Sequence, residues 1–312
     1  MKITLRQLSY FVALAETRSF SLAAARANIS QPALSNQIRE LEARLGAPLV
    51  ERLPRDIRLT RAGQVALERA QGVLADMRAL EQAVRLQSGL AGRLTLGVIP
   101  TIAPYLLPLA LMRIRAADLS LDIRLREAQT ADLLVALAAG HVDAAIVSLP
   151  VADAGLAVLP LFEDRFVLAG SAGRIAALRE QGALLRPTAL PPAQLHLLDE
   201  GHCLADQALE VCGLDRRAGR VDLGASSLAT LAGMVAEGFG YTFLPEIALR
   251  SETQAAPNLR LARFARPEPA RMVALVHRAD TLDTGWSRDL AGFLRDAADD
   301  LLAQARSLCP TP

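Results

Sequence analysis

Along the first third of the chain, apolar residues recur with helical spacing. Leu8, Phe11, Val12 and Ala15 fall at i, i+3, i+4 and i+7, one face of a helix over residues 5–16. A second helix runs through Ala23, Ala24 and Ala27, and Ser19 and Ser21 are both placed to cap it. Asn28 and Ile29 form a turn. Ser30 caps a third helix with Pro32 in its first turn, where no hydrogen bond is lost. Leu34, Ile38, Leu41 and Leu45 make its apolar face before Gly46 and Pro48 end it. Val50–Leu59, arginine-rich and interrupted by Pro54, reads as a β-hairpin. Thr60 opens a long helix to about Gln87, in which Ala66, Ala70, Val73, Met77, Leu80 and Val84 alternate steps of four and three. That is a coiled-coil-like seam, with Arg69, Asp76, Arg78 and Glu81 on the opposite face. The helix serves either as a dimerising linker or as a core helix of a larger domain.

Ser88, Gly89 and Gly92 break the helical pattern, and strands then alternate with helices. Expected strands are 94–99, 121–125, 144–147, 166–169 and 195–198; expected helices include 131–139, ended by Gly140, and 227–237, ended by Gly238. Such alternation predicts an α/β fold with parallel strands, arranged as two sheets rather than one.

A length of 312 residues favours two domains, and 52% apolar residues with only 4% aromatics imply mainly aliphatic cores. The net charge of +1 gives no overall attraction to nucleic acid or membrane, yet residues 1–62 hold ten basic against five acidic residues. A basic first segment on a slightly acidic body points to an anionic partner for that segment. No secretory signal and no apolar run of about 18 residues is present, so a cytoplasmic protein with no membrane partner is expected. Three cysteines in a reducing compartment are core residues, metal ligands or redox groups rather than a disulfide framework.

Helix, tight turn, capped helix and basic hairpin follow the order of a winged helix-turn-helix, whose second helix enters the major groove. Its outward positions are Pro32, Ser35, Asn36 and Arg39. Gln31 and Asn36 offer the donor and acceptor an adenine edge requires. Arg52, Arg55 and Arg58 suit phosphates or the minor groove, and Ser30 a phosphate at the helix N-terminus. A helical protein-interaction module is the competing explanation.

The stretch 198–212 places Cys203 and Cys212 nine positions apart in helix-forming sequence. On a regular helix that is about 13.5 Å of rise and half a turn of offset, whereas a disulfide needs Cα atoms within roughly 7 Å. The two join only if the helix unwinds. On spacing alone, buried aliphatic stand-ins and a redox pair both remain open, while zinc lacks a second Cys/His pair. Thr101 and Thr130 each follow the carboxyl end of an expected strand, where open α/β sheets place ligand sites. Cys309, beside Pro310, is expected to have no role; His141 and His277 read as surface or strand-end residues, and Trp286 as the anchor of the last helix.

The stretches Leu5–Phe11, Ser19–Ala25, Ser30–Ser35, Leu41-Glu42 and Thr60–Gly63 together resemble the LysR-type transcription regulators, and the resemblance covers the whole chain. It implies a winged helix-turn-helix over 1–60, a linker and dimerisation helix over 61–90, and a regulatory domain over 91–312. That domain is two-lobed and similar to periplasmic binding proteins, with lobe I about 91–164 and 271–312 and lobe II about 165–270. It also implies a homodimer or homotetramer on double-stranded promoter DNA, an activator working with RNA polymerase. Family members often carry arginine where this chain has Asn36, which bears on the target sequence rather than the binding mode.

Gly201-His202-Cys203-Leu204, Asp206-Gln207-Ala208 and Cys212 resemble the redox motif of the family's peroxide-sensing branch. So do Ile99–Thr101, Pro104–Pro108, Glu127–Thr130 and Pro267–Arg271. The resemblance implies that Cys203 is the peroxidatic and Cys212 the resolving cysteine. Thr101, Thr130, His202, Asp206 and Arg271 would surround Cys203, with His202 and Arg271 as the electrostatic groups. It implies control of oxidative-stress genes by a disulfide reset by a thioredoxin- or glutaredoxin-type reductant, with no metal, no cofactor and no enzymatic turnover. One departure is Ala205, where close relatives often carry arginine. The alternative within the family is a small organic effector bound between the lobes.

Overall fold

The computed structural model describes residues 3–53, 56–85, 92–117, 121–151, 155–180, 185–199, 203–212, 225–279 and 285–310; of 52, 53, 56, 79, 82–85, 179, 211 and 212 it describes the backbone alone. Contacts divide the chain into two units, Met1–Val84 with Ala138–His141, and Arg85–Leu137 with Val142–Pro312.

The first unit contains α1 (Leu5–Thr17), α2 (Phe20–Arg26), α3 (Gln31–Leu45), the hairpin β1 (Val50–Leu53) and β2 (Asp56–Leu59), and α4 (Arg61–Arg85). Local signals set these boundaries. Thr4 and Gln7 form a capping box on α1. Ser19 caps α2, leaving Ser21 inside that helix. Ser30 caps α3, and Gly46, at φ 72, ends it in the left-handed conformation that glycine tolerates. Phe11, Leu14, Ala23, Leu34, Ile38, Leu41 and Leu49 bury one shared core. Two polar ties fix the α3 geometry. Gln7 donates to Glu40 Oε2 at 3.3 Å and accepts from Arg44 at 2.8 Å. Glu42 Oε1 accepts from the Leu49 and Val50 amides at 2.7 and 3.3 Å, docking the hairpin on α3. Thr60 Oγ1 accepts from the Gly63 amide at 2.9 Å and so caps α4. A Cβ on Gly63 would lie 2.0 Å from the Leu49 carbonyl oxygen, so this crossing admits only glycine.

The second unit runs β3 (Gly92–Val98), α5 (Ala103–Ala117), β4 (Leu121–Glu127), α6 (Thr130–Ala138), β5 (Ala144–Ser148), β6 (Leu156–Ser171), α7 (Ala172–Glu180) and α8 (Cys203–Cys212). It continues with α9 (Leu228–Ala236), β7 (Tyr241–Pro245), α10 (Leu249–Ala255), β8 (Leu259–Ala262), β9 (Ala270–Arg278) and α11 (Trp286–Leu308). The strand order is β4-β3-β5-β9-β6-β7, with β8 also paired to β6. β6 is one 16-residue strand serving two sheets. Its first part, through Arg165, pairs with β9; from Phe166 onward it pairs with β7 and β8.

Three expectations need correction. The named strands are not all parallel: β4-β3-β5 is parallel, but β9 returns antiparallel to both β5 and β6. A period-two or apolar run carries no sign of strand direction; the partner sets it. Residues 195–198 form no strand; Leu195 makes a single parallel bridge to Tyr241 after a 3-10 turn started by Pro191 and Pro192. His277 ends a strand as expected but is buried, its ring 5.4 Å from that of Trp286, the fully buried first residue of α11.

Candidate functional site

On the first unit, Ser30, Gln31, Pro32, Asn36 and Arg39 are exposed along α3, and Ser35 is half-buried between them. Asn36 donates to Glu40 Oε1 at 3.2 Å and Arg39 Nε to the Ser35 carbonyl at 3.4 Å, so both are held along the helix surface. Ser30 Oγ accepts from the Ala33 amide at 3.4 Å, its capping bond. Arg58 is exposed on β2, whereas Arg55 and the side chain of Arg52 lie outside the described residues.

On the second unit, Cys203 is the half-buried first residue of α8. Its Sγ lies 2.8 Å from Thr130 Oγ1, at which distance either group donates. Thr130 opens α6, just past the end of β4. Gln207, one turn after Cys203, donates to Ser148 Oγ at 2.8 Å and to the Leu149 carbonyl at 3.0 Å, beyond the end of β5. Thus α8 is anchored at the carboxyl ends of β4 and β5. The strand between those two is β3, and Thr101 follows its carboxyl end.

Thr101 is buried, and Arg271 grips it twice: Nη1 donates to Oγ1 at 2.9 Å and Nη2 to the main-chain oxygen at 3.3 Å. The other edge of the same guanidinium meets Asp164 Oδ2 at 3.1 and 2.9 Å, both side chains fully buried. Asp164 Oδ1 accepts from the Ile247 amide at 3.3 Å. Burial pushes the Asp164 carboxyl above its ordinary range, and the Arg271 charge and hydrogen bonds pull against that.

Of the residues expected around the sulfur, Thr130 makes direct contact, Thr101 and Arg271 join through a hydrogen bond, and Asp206 is exposed in the first turn of α8. His202 and the Cys212 side chain lie outside the described residues. Asp164 escaped the sequence reasoning, and Gln207 entered it only as part of the redox motif, without a role. The signal for Gln207 is its i+4 spacing from Cys203; for Asp164 it is a charged trio, Glu163-Asp164-Arg165, inside an apolar strand.

A cavity of about 320 Å³ lies alongside, lined by Thr101, Tyr105, Glu127, Leu198, Ser227 and Glu252 among others. Tyr105 donates to Glu252 Oε1 at 2.6 Å. Burial raises the Glu252 carboxyl, and the Tyr105 hydrogen bond opposes the rise; burial and Glu252 together push the Tyr105 phenol up. No described helix is long and apolar enough to cross a membrane.

Residues 5–64 match the bacterial regulatory helix-turn-helix of the LysR family, and residues 87–299 match the LysR substrate binding domain. A probable hydrogen peroxide-inducible genes activator of Streptomyces viridosporus is 41% identical, over 96% of this chain and 95% of that one. The DNA-binding transcriptional dual regulator OxyR of Escherichia coli K12 is 37% identical over 95% and 96%. Among solved structures, a full-length OxyR mutant from Pseudomonas aeruginosa aligns with a TM-score of 0.72 at 33% identity, covering 94% of this chain and 98% of that one. A hydrogen peroxide-bound OxyR mutant from Corynebacterium glutamicum aligns with a TM-score of 0.65 at 32% identity, covering 98% and 96%. Winged helix-turn-helix, two-sheet regulatory domain and end-to-end likeness agree: the chain belongs to the LysR family of bacterial regulators, in its branch of hydrogen peroxide-inducible genes activators.

Proposed function

We propose that the chain is a cytoplasmic DNA-binding regulator that reads hydrogen peroxide at Cys203 and passes the signal on through a disulfide to Cys212. One observation carries the proposal: Thr130 stands 2.8 Å from a sulfur at the N-terminus of a helix whose last residue is the second cysteine. The thiolate is the nucleophile. Thr130 can donate to it. The Cys203 thiolate attacks one peroxide oxygen; the O–O bond breaks, hydroxide leaves and takes up a proton as water, and Cys203 becomes a sulfenic acid. The Cys212 thiol then displaces the sulfenic hydroxyl as a second water, leaving the disulfide. Peroxide takes up the two electrons that the thiols lose. A dithiol of thioredoxin or glutaredoxin type returns them and resets the protein.

With α8 intact, the two ends stand about 13.5 Å apart along the helix axis, so the disulfide demands that α8 unwind. That refolding is the switch. Its output is a change in how a homodimer or homotetramer, joined through α4, spaces its α3 helices on promoter DNA, where it acts with RNA polymerase. Gln31, Pro32, Ser35, Asn36 and Arg39 are assigned to the groove, Ser30 to a phosphate, and Arg52, Arg55 and Arg58 to phosphates or the minor groove. The names of the relatives support peroxide as the signal.

The test is thiol mapping by mass spectrometry after one equivalent of peroxide, with a footprint on promoter DNA. Wild type forms the Cys203–Cys212 bond and changes its footprint; Cys203→Ser binds DNA and ignores peroxide. A Cys203→Ser protein that still responds would overturn the proposal and favour an organic effector in the cavity.

A further inference from the structure

We infer that Asp164 is a positioning residue for the peroxide reaction, acting through Arg271 on the hydroxyl of Thr101; this rests on the peroxide-sensing reading of Cys203. Arginine has donors only, so in the Arg271–Thr101 contact the threonine oxygen must accept. Its own O–H proton is therefore directed away from Arg271. Thr101 leaves the middle strand of the three whose outer two anchor α8 at Thr130 and at Ser148 and Leu149. Val98 pairs with Glu127 in the parallel register, and Thr101 and Thr130 each lie three residues further on. The two threonines thus follow neighbouring strands at matching levels, the strands themselves running roughly 4.8 Å apart. Thr130 is engaged with the sulfur; Thr101, locked as a donor, is set to hold the peroxide oxygen that departs.

This polarity depends on the guanidinium keeping one orientation, and Asp164 imposes it. The carboxylate takes the Nε–Nη2 edge, which turns Nη1 onto Thr101. The pair sits where β6 passes from one sheet to the other: Asp164 lies opposite Arg271 in the β6–β9 register, two residues before β6 takes up β7. Because Asp164 neutralises it, the Arg271 charge is spent on orienting Thr101 rather than on attracting the thiolate.

The experiment measures two rate constants at Cys203 in the full-length protein: oxidation by hydrogen peroxide, and alkylation by iodoacetamide, which reads thiolate availability without needing an oriented peroxide. Asp164→Asn is expected to slow oxidation roughly ten- to a hundredfold while alkylation stays within about twofold of wild type. Thr101→Val should show the same split, and Asp164→Asn should slow oxidation no further in the Thr101→Val background, because residues acting in series are not additive. Arg271→Lys keeps the charge but loses the two-sided fork; it should reproduce the loss and stands in if Asp164→Asn does not fold. Unchanged oxidation in Asp164→Asn or Arg271→Lys, a full extra loss in the double variant, or a parallel loss of alkylation would each overturn the positioning role. A wild-type Cys203 that stays reduced under peroxide overturns instead the reading beneath it.

Discussion

Thr130 and Gly63 illustrate how far single residues carry the architecture. Thr130→Val removes the hydroxyl beside Cys203 but keeps the shape, so peroxide oxidation should slow by about tenfold or more, the loss expected from deleting one aligned hydrogen-bond donor; an unchanged rate in a stopped-flow assay would remove Thr130 from the site. Gly63→Ala drives a methyl into the Leu49 carbonyl. It should destabilise the DNA-binding unit by about 1–3 kcal/mol, the usual range for overpacking, read as a lower thermal midpoint and weaker DNA binding. Glu252 shows a pH effect. Its folded carboxyl lies above the ordinary 4.5, so the folded protein holds that proton more tightly than the unfolded chain. The associated stability is complete below pH 4.5 and is lost as pH rises through the folded value. Glu252→Gln keeps an acceptor for Tyr105 and loses this slope. Denaturant titrations should therefore show the variant gaining on wild type from about pH 4.5 toward neutrality, whereas a constant difference would show that Glu252 is not the source.

At the scale of elements, α8 is the part that the proposed disulfide would have to break. It is a 10-residue helix held through Thr130 at one contact and through Gln207 at the end of β5. Each Gln207 hydrogen bond contributes about 1 kcal/mol. Gln207→Leu should thus ease α8 opening by about 2 kcal/mol, a rate gain of up to about thirtyfold in the step from sulfenic acid to disulfide. Quenched trapping of the sulfenic acid with a dimedone probe would measure that step; a slower condensation would show that Gln207 helps rather than resists the refolding. The helical character of 203–212 and the separation of its two cysteines followed from spacing alone, since helix geometry is local. That Gln207 meets Ser148, 59 positions away, did not, because an amide one turn after a cysteine looks the same on any helix.

On the scale of the whole molecule, α4 carries Val65, Val73 and Leu80 at 57%, 45% and 66% exposure in a single chain. In the proposed dimer, a second copy would cover such an apolar row on this 25-residue helix. Val73→Asp with Leu80→Asp should give monomers in sedimentation equilibrium and lower affinity for a two-half-site operator by roughly a hundredfold, the avidity lost with the second contact. An unaltered mass would place the assembly contact elsewhere.

The chain itself determined the first unit almost residue by residue, because caps, turns and apolar faces there are written within a turn of the elements they end: Ser19 and Ser30 before their helices, Gly46 after its own. It also announced the cysteine helix and the threonines at the strand ends. Only the tertiary structure decided that β9 runs antiparallel between β5 and β6 and that β6 serves two sheets. It alone brought Arg271 onto Asp164 and Thr101, 107 and 170 positions away. The reason is physical: periodicity and capping are short-range properties of the backbone. A strand's direction and a buried charge's partner are settled by which distant surfaces can be desolvated together, and no local pattern specifies that.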